Sequence, residues 1–155
     1  MSKVATTKDA KSQVPHATTL MVRDCCLCLH VQRAARALAR RFDEVFRPLD
    51  LTNQQFSLLM SLNRPEPPTI SMVAAVLAMD RTTLTANLKP LERRGLVAQK
   101  VDAADRRSRR LVLTEEGRRL LSAAVPIWDV THRAMEDRVA NGDADGLRAA
   151  LLALS

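Results

Sequence analysis

The chain has 155 residues and a formal net charge of +7. This length suits one domain with a buried core, and the positive charge favours a polyanionic partner, either nucleic acid or an acidic membrane surface. Because the sequence has neither a run of about 20 apolar residues nor a segment typical of a signal peptide, it predicts a cytoplasmic protein with no membrane partner.

The residue types needed for catalysis or metal binding are not grouped in the sequence. The three histidines are scattered, and no glycine-rich loop follows a predicted strand. A single C-x-x-C lacks the second ligand pair of a zinc site. We therefore predict a protein that is not an enzyme and that has no cofactor and no metal site. The three cysteines are predicted to be thiols, since no export signal accompanies them.

The N-terminal part of the sequence divides into a polar arm and a helix. Residues 1–17 are predicted to form a flexible arm, and residues 18–51 the first helix of a dimerisation frame. Apolar residues recur at intervals of three and four from Leu27 to Leu49, which is the period of an amphipathic helix. Pro48 indicates where this helix ends.

Residues 52–114 predict a winged helix-turn-helix. Thr52 begins a second helix through a capping box, and a proline cluster before Thr69 ends it. Thr69 and Asp80 are predicted N-caps of a third and a fourth helix, with a break near Ala78 between them. Two short helices joined by a tight turn are typical of the helix-turn-helix.

The fourth helix has the pattern of a recognition helix. Leu84, Leu88 and Leu91 form its predicted inner face, which directs a small polar face outward. Hydroxyl, methyl and basic groups of that size suit the base edges and phosphates of a major groove, although a plain solvated face is the alternative. The candidate DNA-binding residues of this helix are Arg81, Thr82, Thr83, Thr85, Ala86 and Lys89.

Two short segments after Gly95 predict a β-hairpin, or wing, with a charged tip. Between Asp80 and Arg110 there are nine basic residues and four acidic ones, so most of the net charge belongs to this region. An arginine on such a wing can enter an adjacent minor groove. The candidate DNA-binding residues of the wing are Arg106, Arg107, Arg109 and Arg110.

Residues 115–155 predict C-terminal helices that complete the dimerisation frame. Thr114 is the predicted N-cap of a long fifth helix, with a bend expected at Pro126. A last short helix is predicted to begin at Asp143 or Asp145.

The stretch from Thr69 to Gly117 resembles the MarR (multiple antibiotic resistance regulator) family. The resemblance is carried by Asp-Arg-Thr-Thr-Leu-Thr, Leu-Glu-Arg-Arg-Gly-Leu-Val and Leu-Thr-Glu-Glu-Gly. The wing signature of that family is fitted by Asp105, Arg107, Leu113 and Thr114. The resemblance implies a mainly α fold with a small β-hairpin wing. It also implies a sequence-specific double-stranded DNA-binding transcription regulator, a repressor released by a small-molecule or oxidant signal. A winged-helix protein-interaction module is the alternative.

The resemblance further implies a homodimer on a pseudo-palindromic operator, with half-sites about one helical turn apart. It implies a brace in which Asp80 and Asp105 act with Arg107 to fix the wing, while a plain N-cap is the alternative for Asp80. Two positions depart from the family. Met72 replaces an acid that often completes a capping box, and Pro90 predicts a kink or an early end of the recognition helix.

The cysteine cluster suggests one possible signal. On a continuous helix Cys26 shares a face with His30 and Arg33, whose positive charge would favour a reactive thiolate. Cys25 and Cys28 would then be the better disulfide pair. The alternative is that all three thiols simply fill helix interfaces.

A small aromatic or anionic effector is the other signal that the resemblance implies. The candidate pocket residues are His30, Arg33, Phe56 and Trp128, although each could equally be a packed or solvated helix residue.

Overall fold

The computed structural model describes residues 14–102, 105 and 108–154. This described part is mainly helical, with one antiparallel hairpin, as the sequence predicts. The elements are α1 (His16–Cys25), α2 (Leu27–Phe46), α3 (Asn53–Leu62), α4 (Ile70–Val76), α5 (Arg81–Arg93), β1 (Val97–Val101), β2 (Arg109–Leu113), α6 (Glu115–Glu136) and α7 (Ala144–Leu152). Two compact units divide between Leu38 and Ala39, within α2.

The N-terminal unit differs from the sequence prediction in its helix boundaries. Helix α1 already begins at His16, inside the predicted arm, whose residues 1–13 lie outside the described part. Cys26 is extended, with φ −73° and ψ 107°, and separates α1 from α2. The predicted single helix over 18–51 is therefore two helices and a 3-10 turn at Arg47–Leu49. The apolar repeat gave no sign of this break because it begins at Leu27, after the extended residue.

The core of the C-terminal unit combines side chains of α2, α3, α4, α5, both strands and the first half of α6. Aromatic rings form its centre. Phe46 stacks on Phe56 with 4.8 Å between ring centroids, and Phe56 lies 6.3 Å from Trp128. Stacked rings of this size bury large apolar areas, so they give the helix-turn-helix a firm base.

Local capping determines where α3 and α4 begin. Thr52 and Gln55 form the predicted capping box at the start of α3. The Thr69 hydroxyl accepts a hydrogen bond from the Met72 N–H at the start of α4. In the turn that follows, Ala78 has φ +50°, a left-handed conformation that reverses the chain within four residues. The predicted helix-turn-helix is therefore α4, this turn and α5.

The hairpin leads directly into α6. Strands β1 and β2 pair with Val97 opposite Leu113 and Val101 opposite Arg109. The Thr114 hydroxyl caps α6 by accepting from the Gly117 N–H at 3.0 Å, and Gly117 leaves room for the Leu96 carbonyl. Helix α6 continues through Pro126 to Glu136, and Asp143 is the N-cap of α7. No helix in the described part of the chain is long and apolar enough to cross a membrane.

Candidate nucleic-acid interface

The N-terminus of α5 is fixed by Asp80. Its carboxylate accepts hydrogen bonds from the Thr83 N–H at 2.8 Å and from the Thr83 hydroxyl at 2.6 Å. These bonds stabilise the ionised form, the Thr83 side chain most strongly, and so lower the pKa of Asp80. The predicted N-cap is confirmed, whereas the implied partner Arg107 lies outside the described residues.

The two faces of α5 are those that the sequence predicts. Leu84, Leu88 and Leu91 are buried. The six candidate contact residues on the other face are all exposed. Pro90 does not end the helix early, because α5 continues to Arg93 and the Arg94 N–H bonds to the Pro90 carbonyl at 3.1 Å. A polar surface about three turns long is thus presented outward.

Two threonine hydroxyls on α5 already donate within the helix. Thr85 Oγ1 lies 2.7 Å from the Arg81 carbonyl oxygen, and Thr83 Oγ1 lies 2.6 Å from Asp80 Oδ2. Because a carbonyl and a carboxylate only accept, the hydroxyl hydrogens are taken up by these two acceptors. Each oxygen keeps a lone pair with which it can accept a hydrogen bond from outside.

One cleft brings the recognition helix and the wing together. It has a volume of about 230 Å³ and is lined by Ile70, Ser71, Arg81, Thr85, Ser108 and Arg109. The Arg81 guanidinium donates to the Ser71 hydroxyl, which directs Arg81 across the start of α4. Basic and hydroxyl groups from α4, α5 and β2 therefore surround a space large enough for a phosphate group.

The C-terminal end of α5 is tied to the turn that follows α2. The Arg94 guanidinium donates to the backbone carbonyls of Leu49 and Asp50, and it lies 3.7 Å from the Asp50 carboxylate. Gly95, with φ +68°, then lets the chain leave the helix toward β1.

The arginines predicted on the wing have different surroundings. Arg106 and Arg107 lie outside the described residues. Arg109 is exposed and lines the cleft. Arg110 is half-buried, and its Nε donates to Asp102 Oδ2 at 2.5 Å while its Nη1 donates to the Pro67 carbonyl at 2.8 Å.

Asp102 is a site residue that the sequence reasoning missed. Its side chain is buried, and one carboxylate oxygen accepts from the Asp105 N–H at 3.3 Å. An acid at the end of a predicted strand, diagonally opposite an arginine on the partner strand, was the available signal.

The cysteines do not have the helical geometry assumed from the sequence. Because Cys26 is extended, spacings counted through it do not project on one helical wheel, so the reasons for pairing Cys25 with Cys28 no longer apply. The His30 ring lies with Nδ1 2.8 Å from the carbonyl oxygen of Cys26. The Cys26 sulfur instead accepts from the Leu29 N–H at 3.5 Å, at the start of α2.

Two of the four candidate effector residues line a common cavity. Phe56 and Trp128 border a space of about 380 Å³ within the C-terminal unit. The remaining lining residues are apolar or carry hydroxyls: Ser57, Met60, Ser61, Val76, Leu77 and Val125. His30 and Arg33 belong to the N-terminal unit.

Comparison with known proteins identifies the family. A family model described as MarR family matches residues 49–108. The organic hydroperoxide resistance transcriptional regulator of Bacillus subtilis (strain 168) is 32% identical over 101 residues, which cover 65% of this chain and 69% of that protein. The chain belongs to the MarR family.

Other MarR-like relatives extend the comparison. Transcriptional regulator HosA of Escherichia coli O157:H7 is 42% identical over 82 residues, covering 52% of this chain and 59% of HosA. The match therefore spans less than two thirds of HosA. The structure of the M. tuberculosis regulator MosR in complex with DNA has a TM-score of 0.76 and 38% identity, covering 83% of this chain and 92% of MosR. The family and fold predicted from the sequence are confirmed.

Proposed function

We propose that this MarR-family chain is a sequence-specific double-stranded DNA-binding transcription regulator that acts in the cytoplasm and not as an enzyme. The observation that carries the proposal is the cleft in which Arg81 and Thr85 of α5 meet Ser108 and Arg109 of the hairpin. Two guanidinium groups beside hydroxyls suit a phosphate between a major-groove and a minor-groove contact. MosR, crystallised with DNA, supports the same interpretation.

The faces of α5 suggest how bases are distinguished. Thr82 and Ala86 face outward with Thr85, and Arg81 and Lys89 flank them. Because the Thr85 hydroxyl hydrogen is held by the Arg81 carbonyl, its oxygen suits the amino group of adenine or cytosine, which donates into the major groove. Ala86 suits a thymine methyl.

A homodimer is supported by the apolar side chains that α1 and α7 leave exposed in the described part of the chain. Helices α1 and α7 contain no buried residue among their described side chains. Their exposed apolar side chains include Leu20, Met21, Val22, Leu147, Leu151 and Leu152. Burying such faces against a second copy would remove apolar area from water and place two winged units on a pseudo-palindromic operator.

The DNA-binding proposal is tested with genomic fragments recovered on the purified protein. We expect Arg109→Ala to weaken binding to a recovered duplex and to flatten the plot of log affinity against log salt by about one unit for each phosphate that the variant no longer neutralises. Lys100→Ala is the control for a general decrease in positive charge. Lys100 is exposed and lies on β1 opposite Arg110, the residue that follows Arg109. If no duplex is retained above nonspecific binding, the protein-interaction alternative replaces this proposal.

Oxidant release is one candidate signal for a repressor of this kind. All three cysteines are thiols, and Gln32 Nε2 donates to Cys28 Sγ at 3.1 Å. A hydroperoxide could oxidise two thiols to a disulfide, with release of an alcohol and water. We expect peroxide to release DNA from the native protein and not from a variant with all three cysteines replaced by serine. Equal release from both would exclude this signal.

A small aromatic effector is the other candidate signal. The cavity at Phe56 and Trp128 offers ring stacking and hydroxyls in place of charged groups, so it favours an uncharged ring over an anion. Ser61→Trp, which would fill the cavity, should abolish the effect of any aromatic compound that releases DNA. A compound that still releases DNA from this variant acts elsewhere.

A further inference from the structure

At the base of the wing tip, the buried carboxylate of Asp102 forms an ion pair with the half-buried Arg110. Asp102 is only 5% exposed, and its Oδ2 lies 2.5 Å from Arg110 Nε. Removing a carboxylate from water costs free energy unless it is paired and hydrogen-bonded. Arg110, whose side chain is 36% exposed, supplies that pairing, so its Nε is occupied by a contact within the protein.

Arg110 also ties the hairpin to the loop before α4. Its Nη1 donates to the Pro67 carbonyl at 2.8 Å, and the Leu111 N–H donates to the Pro68 carbonyl at 2.8 Å. A further isolated bridge pairs Thr69 with Arg110. These contacts hold one side of β2 against the segment that enters the helix-turn-helix.

Asp102 in turn holds the end of the hairpin near its tip. The Asp102 N–H donates to the Ser108 carbonyl at 3.1 Å, and the Asp102 carboxylate accepts from the Asp105 N–H. The chain of contacts therefore runs from the tip through Asp102 and Arg110 to Pro67.

Neighbouring side chains of a strand point to opposite faces of the sheet. Arg109 accordingly lines the cleft with Arg81, while Arg110 turns to Asp102 and Pro67. We propose that Arg110 is a positioning residue: through Asp102 it sets the orientation of the wing, and with it the place of Arg109, without itself binding phosphate. This inference rests on the DNA-binding function proposed above.

The variant Asp102→Asn distinguishes the positioning role of Arg110 from direct binding of phosphate by Arg110. The amide keeps the size of the carboxyl group but lacks the charge that pairs with Arg110. If Arg110 bound phosphate, removal of a nearby negative charge would leave affinity equal or raise it. The positioning role predicts the opposite sign, a decrease of about tenfold in affinity for a recovered duplex, because the wing is displaced from the DNA.

Variants at Arg110 complete the test. We expect Arg110→Ala to weaken binding as Asp102→Asn does, and the double variant to bind no more weakly than either single variant. Arg110→Lys should not restore affinity, because one ammonium group cannot reproduce the separate contacts of the guanidinium with the Asp102 carboxylate and the Pro67 carbonyl. Glu92→Gln, which also removes one negative charge near the hairpin, is the matched control and should not weaken binding.

Hydrogen exchange supplies a measurement that does not depend on DNA. In Asp102→Asn, the Leu111 amide should exchange faster while the amides of α5 keep their protection. Circular dichroism before each titration ensures that only folded protein is compared.

Unchanged or increased affinity in Asp102→Asn, additive effects in the double variant, or full rescue by lysine would overturn the positioning role. If the native protein binds no DNA but the Leu111 amide responds as expected, the proposed DNA-binding function fails. The contact between Asp102 and Arg110 is then purely structural.

Discussion

The recognition helix and the wing face the same cleft, but different forces hold them. Leu84, Leu88 and Leu91 bury one whole side of α5 in the core. The outer part of the hairpin depends on an ion pair and a few backbone hydrogen bonds around Arg110. Apolar burial is nondirectional, whereas the ion pair acts only in a narrow geometry. The two parts of the interface can therefore be weakened separately.

The largest effect is expected from the helix side. Leu88→Ala should lower the free energy of unfolding by about 2–5 kcal/mol, because it leaves a cavity beneath α5. Urea denaturation measures this decrease. Lys89→Ala, at the next and exposed position, should change stability by less than about 0.5 kcal/mol. Equal decreases would show that burial does not anchor this helix.

A smaller effect is expected where the hairpin meets α6. Alanine in place of a helical glycine usually stabilises a helix, but a Cβ at Gly117 would overlap the Leu96 carbonyl oxygen. Gly117→Ala should therefore destabilise the protein by about 1–3 kcal/mol. Thermal unfolding checks the sign, with Ser122→Ala on an exposed part of α6 as the control. An increase in Tm would contradict the close approach of α6 to the hairpin.

The smallest effect is expected from titration of the α5 cap. Since hydrogen bonds from Thr83 lower the pKa of Asp80, ionised Asp80 favours the folded state. Its contribution is complete above the ordinary carboxyl pKa of about 4 and disappears as the pH falls through the lowered folded-state value. The Tm difference between the native protein and Asp80→Asn should therefore shrink from pH 6 to pH 2.5. Glu66→Gln controls for a general change in charge, and a difference that grows toward acid would contradict this role.

The sequence predicts α5 better than the hairpin, because the signals for α5 are local. The α5 pattern is local: a cap, three leucines at helical spacing and a terminal glycine lie within sixteen residues of chain. The contact between Arg110 and Pro67 joins positions 43 residues apart, so no short-range pattern carries it. Counting charges along the sequence consequently predicted the same DNA-binding role for Arg109 and Arg110, although the two side chains have different surroundings.

The N-terminal prediction was limited for another reason. The apolar period from Leu27 onward is strong, whereas α1 has a weaker pattern and no side-chain cap at Pro15. The break at Cys26 is a change in φ and ψ, and the spacing of apolar side chains does not report these angles. Of the four residues predicted to bind an effector, Phe56 and Trp128 line one cavity. They meet through the packing of α3 on α6, a contact between distant segments that no local sequence pattern reports.

Arg94 gives the end of α5 a mechanical connection. Its guanidinium spans from the end of α5 to the Leu49 and Asp50 carbonyls, which lie in the turn after α2. A planar guanidinium that donates to two carbonyls restricts both the distance and the relative rotation between the end of α5 and the turn after α2. A displacement of that turn must either carry the C-terminal end of the recognition helix with it or break both hydrogen bonds.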